Sequence, residues 1–128
     1  MDTDHLTPPG IAPNAVVGWE LRWLLTLMLL DHGGVLTIPQ MVRRLEAEGL
    51  SVPDRASKVV SDALRLEIGK GRVRRVARGR YTFAGMPKAT KSRFRTQARR
   101  VRELRAFATV RTLAVMHWEV DRQQVSGR

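Results

Sequence analysis

The sequence predicts a mainly α-helical protein with one small β-hairpin and a long C-terminal helix. Apolar side chains recur at three- and four-residue spacing in four segments, as a buried helix face requires. Residues 72–76 and 80–83 instead indicate two short strands joined by Arg78-Gly79, a sequence that suits a tight hairpin turn. Of the 128 residues, 43% are hydrophobic and none is cysteine. We therefore expect a packed aliphatic core without disulfides or thiolate metal sites.

The charge of the chain is distributed unevenly. The formal net charge is +11, yet residues 1–50 carry three basic and six acidic side chains, whereas residues 51–128 carry twenty and six. A basic excess confined to one part of a protein indicates a polyanionic partner on that side. A charge excess that serves only solubility is the alternative explanation.

We expect neither a targeting signal nor a membrane-spanning segment in the first 30 residues. Residues 1–15 begin with acidic side chains and are rich in proline and glycine, so we expect a flexible arm and no signal peptide. The apolar stretch at 16–30 is interrupted by Glu20 and Arg22 and is shorter than the roughly 20 residues that span a bilayer. These features predict a soluble cytoplasmic protein without a membrane partner.

The first helix is predicted over residues 16–31. Trp19, Trp23, Leu27 and Leu30 mark its buried face. Other apolar side chains fill much of its circumference, so two further helices would not cover it. It therefore needs a second cover, from elsewhere in the chain or from a second subunit. A short strand at 35–36 follows the turn at 32–34.

The second helix has a clear start. Thr37 is a favoured N-cap and Gln40 follows three residues later, which is the spacing of a capping box. Pro39 lies in the first turn, where its missing N–H costs nothing, and Gly49 ends the helix.

The third helix is predicted over residues 54–70, capped by Ser51 or Asp54. Its buried positions leave Lys58, Ser61 and Arg65 on the opposite face. In a helix–turn–helix the second helix of the pair enters the major groove of DNA, and polar or cationic side chains suit that role. The alternative is a solvated face with a Lys58–Asp62 ion pair.

The hairpin is the strongest functional signal. Five arginines crowd onto a ribbon of about five residues per strand: Arg72, Arg74, Arg75, Arg78 and Arg80. Like charges at this density repel one another unless anions are near, so phosphate binding is the economical explanation. An exposed basic hairpin without a partner is the alternative.

The order of elements and the segment LRLEIGKGRVRRVARGRYTF resemble the winged-helix (winged helix-turn-helix) DNA-binding fold, with a linker-histone-like layout of the third helix and wing. The resemblance covers about residues 16–84. It implies that Lys58, Ser61 and Arg65 lie on the recognition helix. It also implies that the five hairpin arginines form a wing that contacts the DNA backbone or the minor groove.

The C-terminal part is predicted as a linker at 85–91, a helix at 92–120 that Ser92 caps, and a frayed tail at 121–128. The first half of this helix is basic, and some of its cations are candidate additional phosphate contacts: Arg93, Arg95, Arg99 and Arg100. We expect this half to face DNA or pair with acids. The second half, from Leu104 on, would pack on the first helix, within one chain or across a homodimer.

Catalytic and metal-binding patterns are absent from the sequence. His5, His32 and His117 are isolated from other metal ligands, and no cofactor or small-molecule ligand is indicated. The sequence predicts a non-enzymatic protein that binds double-stranded DNA, as a transcriptional regulator or nucleoid-associated factor. An acidic protein partner is the first alternative. RNA is the weaker one, because few exposed aromatic side chains are expected for stacking on single strands.

Overall fold

The structure of the protein is a computed structural model that describes residues 14–53 and 55–105. Its elements are α1 (Gly18–His32), β1 (Leu36–Thr37), α2 (Ile38–Ala47), α3 (Ala56–Gly69), β2 (Val73–Ala77), β3 (Arg80–Phe83) and α4 (88–105). This order confirms the prediction of a mainly α-helical protein with a small β-hairpin. Most of the predicted arm and the second half of the C-terminal helix lie outside the described residues.

α1 occupies the centre of the core. Leu21, Leu24 and Leu29 on this helix are fully buried. The helix begins two residues later than predicted because Val16 is held in an extended segment, where its N–H donates to the Ser51 carbonyl oxygen at 2.9 Å. α1 ends at Gly33, whose φ of +75° lies in the left-handed region that glycine adopts most easily.

One expectation for α1 is wrong. Trp19 was placed on the buried face, but 54% of the residue is exposed, while Trp23 is half-buried and Leu27 is buried. An α-helix that is apolar around most of its circumference does not reveal by periodicity which face will pack. The packed face is decided by α3 and β3, which contact α1.

α2 begins as predicted. The Thr37 N–H donates to Oε1 of Gln40 at 2.8 Å, and the Gln40 N–H donates to Oγ1 of Thr37 at 3.3 Å. This reciprocal pair is the predicted capping box. Met41 and Leu45 on this helix are fully buried, and the short strand predicted before it is observed as β1.

The start of α3 differs from the prediction. The N-cap position is Arg55, in the left-handed conformation with a φ of 66°, and no side chain caps the helix there. Ser51 is not the cap, because its N–H and hydroxyl group both donate to Asn14. Asp54 lies outside the described residues.

The three strands form one antiparallel sheet in the order β1-β3-β2. Val73 lies opposite Phe83 and Arg75 opposite Tyr81, while Leu36 of β1 lies on the other side of Tyr81. The predicted hairpin is therefore confirmed, with Gly79 at a φ of +70° in its turn. A bulge between Arg75 and Ala77 was not predicted.

α4 begins at residue 88, so the predicted linker at 85–91 is too long and Ser92 is not the cap. The Pro87 carbonyl oxygen accepts the N–H of Lys91 at 3.0 Å. Proline is well suited to this position because it has no N–H that needs a partner. Four residues, 84–87, therefore connect the hairpin to the helix.

The predicted packing half of α4 is described only at Leu104 and Arg105. Phe94, Ala98 and Val101 are buried and belong to the same core cluster as the α1 leucines. Leu104, predicted to pack, is 56% exposed, and residues 106–120 lie outside the described residues. The basic first half of the C-terminal helix thus supplies a cover for α1 within the same chain.

Candidate nucleic-acid interface

The exposed face of α3 and the β2–β3 hairpin line one open groove, with a volume of about 1000 Å³. We call it the α3–hairpin groove. Lys58, Ser61 and Arg65, which the sequence predicts on one face of α3, all line it. Val60 and Leu64 occupy the opposite face and are fully buried. The structure therefore brings the three predicted helix residues to one concave surface.

The hairpin arginines divide between two faces of the sheet. Arg75 lies opposite the buried Tyr81, and both line the α3–hairpin groove with Arg78 of the turn. Arg74 lies opposite Thr82, so its side chain points to the other face, as does that of Arg80, because successive side chains of a strand alternate.

These four hairpin arginines are free cations within the part of the chain that the structure describes. Arg74, Arg75, Arg78 and Arg80 are all exposed. None of them forms an ion pair with another residue in 14–53 or 55–105. Only Arg75 and Arg78 share the groove with α3.

Arg72, the fifth predicted wing arginine, has a different position. Its Nε lies 2.8 Å from Oε1 of Glu67 and its Nη2 lies 3.3 Å from Oε2. Its side chain is 16% exposed, and its guanidinium carbon lies 4.9 Å from the centre of the Phe94 ring. We therefore remove Arg72 from the predicted DNA-contacting set: it joins the root of the hairpin to the core.

Glu67 is the centre of this buried network. Besides Arg72, its carboxylate accepts hydrogen bonds from Nε of Arg22 and Oγ1 of Thr26, both at 2.8 Å. The two α1 residues and Glu67 are buried. One carboxylate thus connects α1, α3 and the start of the hairpin.

Two opposing effects act on the pKa of Glu67. Burial by itself raises this pKa because it disfavours the charged form. The hydrogen bonds from Arg72, Thr26 and Arg22 outweigh burial and hold the pKa of Glu67 below its ordinary value. The carboxylate is therefore ionised at neutral pH and balances one of the two arginine charges beside it.

Sequence reasoning missed Glu67, although a signal was present. Glu67 follows Val60 and Ala63 at the spacing of the buried α3 face. A charged residue on such a face needs an oppositely charged partner, and Arg72 is close in sequence. Arg55, which also lines the α3–hairpin groove, was missed because it precedes the buried periodicity.

Among the described residues, Asp62 is the acid that lines the α3–hairpin groove. Its Oδ2 accepts a hydrogen bond from Nζ of Lys58 at 2.8 Å, and Nη1 of Arg65 lies 3.9 Å from its Oδ1. The hydrogen bond from Lys58 is the main cause that lowers the pKa of Asp62. The ion pair that the sequence offered as the alternative for this face is therefore present, and it competes with any ligand for Lys58.

The basic half of α4 pairs with acids at its edges. The pairs are Arg95 with Asp31 at 3.0 Å, Arg102 with Glu48 at 2.7 Å, and Arg105 with Glu20 at 2.8 Å. Arg95 is one of the four predicted additional phosphate contacts. It is paired with Asp31 instead, which confirms the alternative of acid pairing for this residue. Arg93, Arg99 and Arg100 are exposed, and their contact with phosphate stays a prediction.

The described ranges hold no group of three or more histidine, aspartate or glutamate side chains that is placed to bind a metal ion. No helix within these ranges combines the length and apolar character that crossing a membrane requires. Comparison with known proteins adds no assignment: no protein-family model, curated protein or solved structure matches the chain.

Proposed function

We propose that the protein binds double-stranded DNA as a winged-helix protein, with α3 in the major groove and the β2–β3 hairpin on flanking phosphates. The observation that carries this proposal is the α3–hairpin groove, where the polar face of α3 and the hairpin cations line one surface. An α-helix with its side chains is about 10–12 Å wide, which fits a major groove about 12 Å wide.

The charge of the groove supports a polyanionic ligand. The cations among the described residues that line it are Arg55, Lys58, Arg65, Arg75 and Arg78. The acid beside them is Asp62, so the surface has a positive excess. Concave cationic surfaces attract nucleic acid and raise its association rate. Arg74 and Arg80, on the other face of the hairpin, supply further exposed cations for neighbouring phosphates.

We place the protein on the nucleoid in the cytoplasm, as a transcriptional regulator or an architectural factor. These two roles differ in whether Arg65 contacts a base edge or a phosphate. A bidentate base contact contributes about 1–3 kcal/mol of discrimination between sequences, whereas a phosphate contact contributes none.

The test is a salt-titrated binding assay with duplex DNA, duplex RNA and an acidic protein of similar charge. If four to six groove and hairpin cations contact phosphates, log K against log salt for duplex DNA should have a slope of roughly −4 to −5, at about −0.9 per contact. Tight binding of the acidic protein without duplex binding at low salt would support the acidic-partner alternative instead.

Matched arginine variants locate the surface in the same assay. Arg78→Ala should weaken binding to every duplex and reduce the slope by about one unit. Arg43, an exposed arginine on α2 that does not line the groove, provides the control, and Arg43→Ala should leave the slope unchanged. Equal effects of the two variants would show that the DNA interface does not lie on the hairpin.

Removal of the acid from the groove should strengthen DNA binding. Asp62→Asn releases Lys58 from its 2.8 Å ion pair and removes a carboxylate that repels phosphate. We expect several-fold tighter duplex binding, with a salt slope steeper by up to about 0.9. Glu46→Gln, at an exposed position on α2, is the control. Unchanged affinity of Asp62→Asn would show that Lys58 does not reach the DNA.

A further inference from the structure

A second groove lies at the root of the hairpin and shares no lining residue with the first. It has a volume of about 480 Å³ and is lined by Trp19, Trp23, Lys70, Arg72, Arg93 and Phe94. We call it the tryptophan groove. Its volume falls within the range of about 300–1,000 Å³ that is typical of ligand sites, and its lining combines aromatic rings with cations.

Trp19 is held in place from beneath. The guanidinium carbon of Arg22 lies 3.9 Å from the centre of the Trp19 ring, and Nε of Arg22 donates to the buried Glu67 at 2.8 Å. Trp23 lies 6.3 Å away, measured between ring centres, and is tilted by 33°. The indole is therefore supported by a fixed cation, although 54% of Trp19 is exposed. Such a ring is preorganised to stack on another planar group.

The rest of the tryptophan groove is cationic. Lys70 and Arg93 are exposed and form no ion pair with another described residue. Glu67 neutralises only one of the two arginine charges beside it, those of Arg22 and Arg72. No acidic side chain lines the groove among the described residues, so it favours a ligand that is both planar and anionic.

We propose that the tryptophan groove binds an unpaired nucleic-acid strand, with one base stacked on Trp19 and adjacent phosphates beside Lys70 and Arg93. Single strands are bound in this way by aromatic side chains within a basic groove. A purely apolar partner would have to desolvate both cations without compensation. Trp19 provides an exposed aromatic ring of the kind that stacking on a single strand requires.

The site is separate from the duplex-binding surface, so the two proposals are tested separately. The full-length protein is titrated with short oligothymidylate and oligouridylate strands while tryptophan fluorescence and the anisotropy of a labelled strand are followed. We expect quenching on binding with either strand, or with one of them if the sugar is also recognised. Trp19→Ala should weaken binding about 5- to 150-fold, the range for loss of one stacked base.

Two further variants distinguish base stacking on Trp19 from a purely structural role of this residue. Trp19→Phe retains a ring and should bind more tightly than Trp19→Ala while most of the quenching is lost. Lys70→Ala should reduce the single-strand salt slope by about 0.7, the value per phosphate contact, and Arg43→Ala should not. Circular dichroism on each variant establishes that the fold is retained.

Duplex binding separates the two sites. Trp19→Ala should leave the duplex affinity of the α3–hairpin groove unchanged, and Arg78→Ala should leave single-strand quenching unchanged. The proposal is overturned if a folded Trp19→Ala variant binds single strands as the wild type does. It is also overturned if light scattering shows that this substitution alters only self-association.

Discussion

Replacing Glu67 by alanine should destabilise the protein by about 3–5 kcal/mol, the usual cost of removing one partner from a buried ion pair. The substitution leaves Arg22, whose side chain is 9% exposed, and Arg72 without the carboxylate between them. Small domains are stable by only about 5–15 kcal/mol, so a large share of the stability is lost. Urea denaturation followed by circular dichroism measures the loss.

Control substitutions separate the buried network from a general charge effect. Glu46→Ala removes an exposed carboxylate from α2 and should change stability by less than about 0.5 kcal/mol. Glu67→Gln retains the shape and one acceptor but removes the charge, so its effect should lie between the other two. If Glu67→Ala and Glu46→Ala unfold at the same urea concentration, the network contributes nothing to stability.

The same carboxylate predicts how stability depends on pH. The pKa of Glu67 is lower in the folded protein than its ordinary value of 4.5, so the folded state favours the ionised form. The stabilisation is therefore complete above the unfolded pKa and is lost as the pH falls through the folded pKa. We expect the wild type to lose stability from about pH 5 downward, and Glu67→Gln to lose less over that range.

Deletion of residues 92–128 should cause aggregation or unfolding. It removes Phe94, Ala98 and Val101 from the core cluster that they share with the α1 leucines, so apolar surface of that core becomes exposed. An exposed apolar patch larger than a few hundred Å² is seldom tolerated on a soluble monomer. Light scattering and circular dichroism on the 1–91 fragment test this, and a soluble, cooperatively folded fragment would contradict it.

A matched pair of point variants refines the deletion. Phe94 is 2% exposed and Leu104 is 56% exposed, although both lie on α4. Phe94→Ala should cost about 3–5 kcal/mol, whereas Leu104→Ala should cost less than about 0.5 kcal/mol. If the two variants lose comparable stability, the surface of α4 that packs on the core lies further along the helix, as predicted from the sequence.

The deletion also bears on the homodimer that the sequence predicts through the first and last helices. Residues 94–101 of the same chain belong to the core cluster around α1. The need for a second subunit to cover α1 is therefore smaller. We retain the dimer as a prediction, with recognition helices roughly 34–36 Å apart, about one DNA turn. A monomeric full-length protein in light scattering would refute it.

Features that depend on neighbouring residues were predicted from the sequence. The α2 capping box needs only Thr37 and Gln40, three residues apart, and the hairpin needs only a turn residue that tolerates positive φ between alternating strands. The exposed face of α3 follows from helical periodicity, which is why Lys58, Ser61 and Arg65 were grouped correctly.

Features that depend on distant packing were decided only by the tertiary structure. The pattern of the hairpin by itself does not distinguish Arg72 from Arg75, because the difference lies in a buried α3 carboxylate whose other partners, Arg22 and Thr26, are more than forty residues away. Periodicity likewise did not reveal which side of the almost uniformly apolar α1 would face the core. Trp19 is exposed because α3, β3 and residues 94–101 bury other faces of that helix. Burial is a property of which surfaces meet, and composition alone does not specify that.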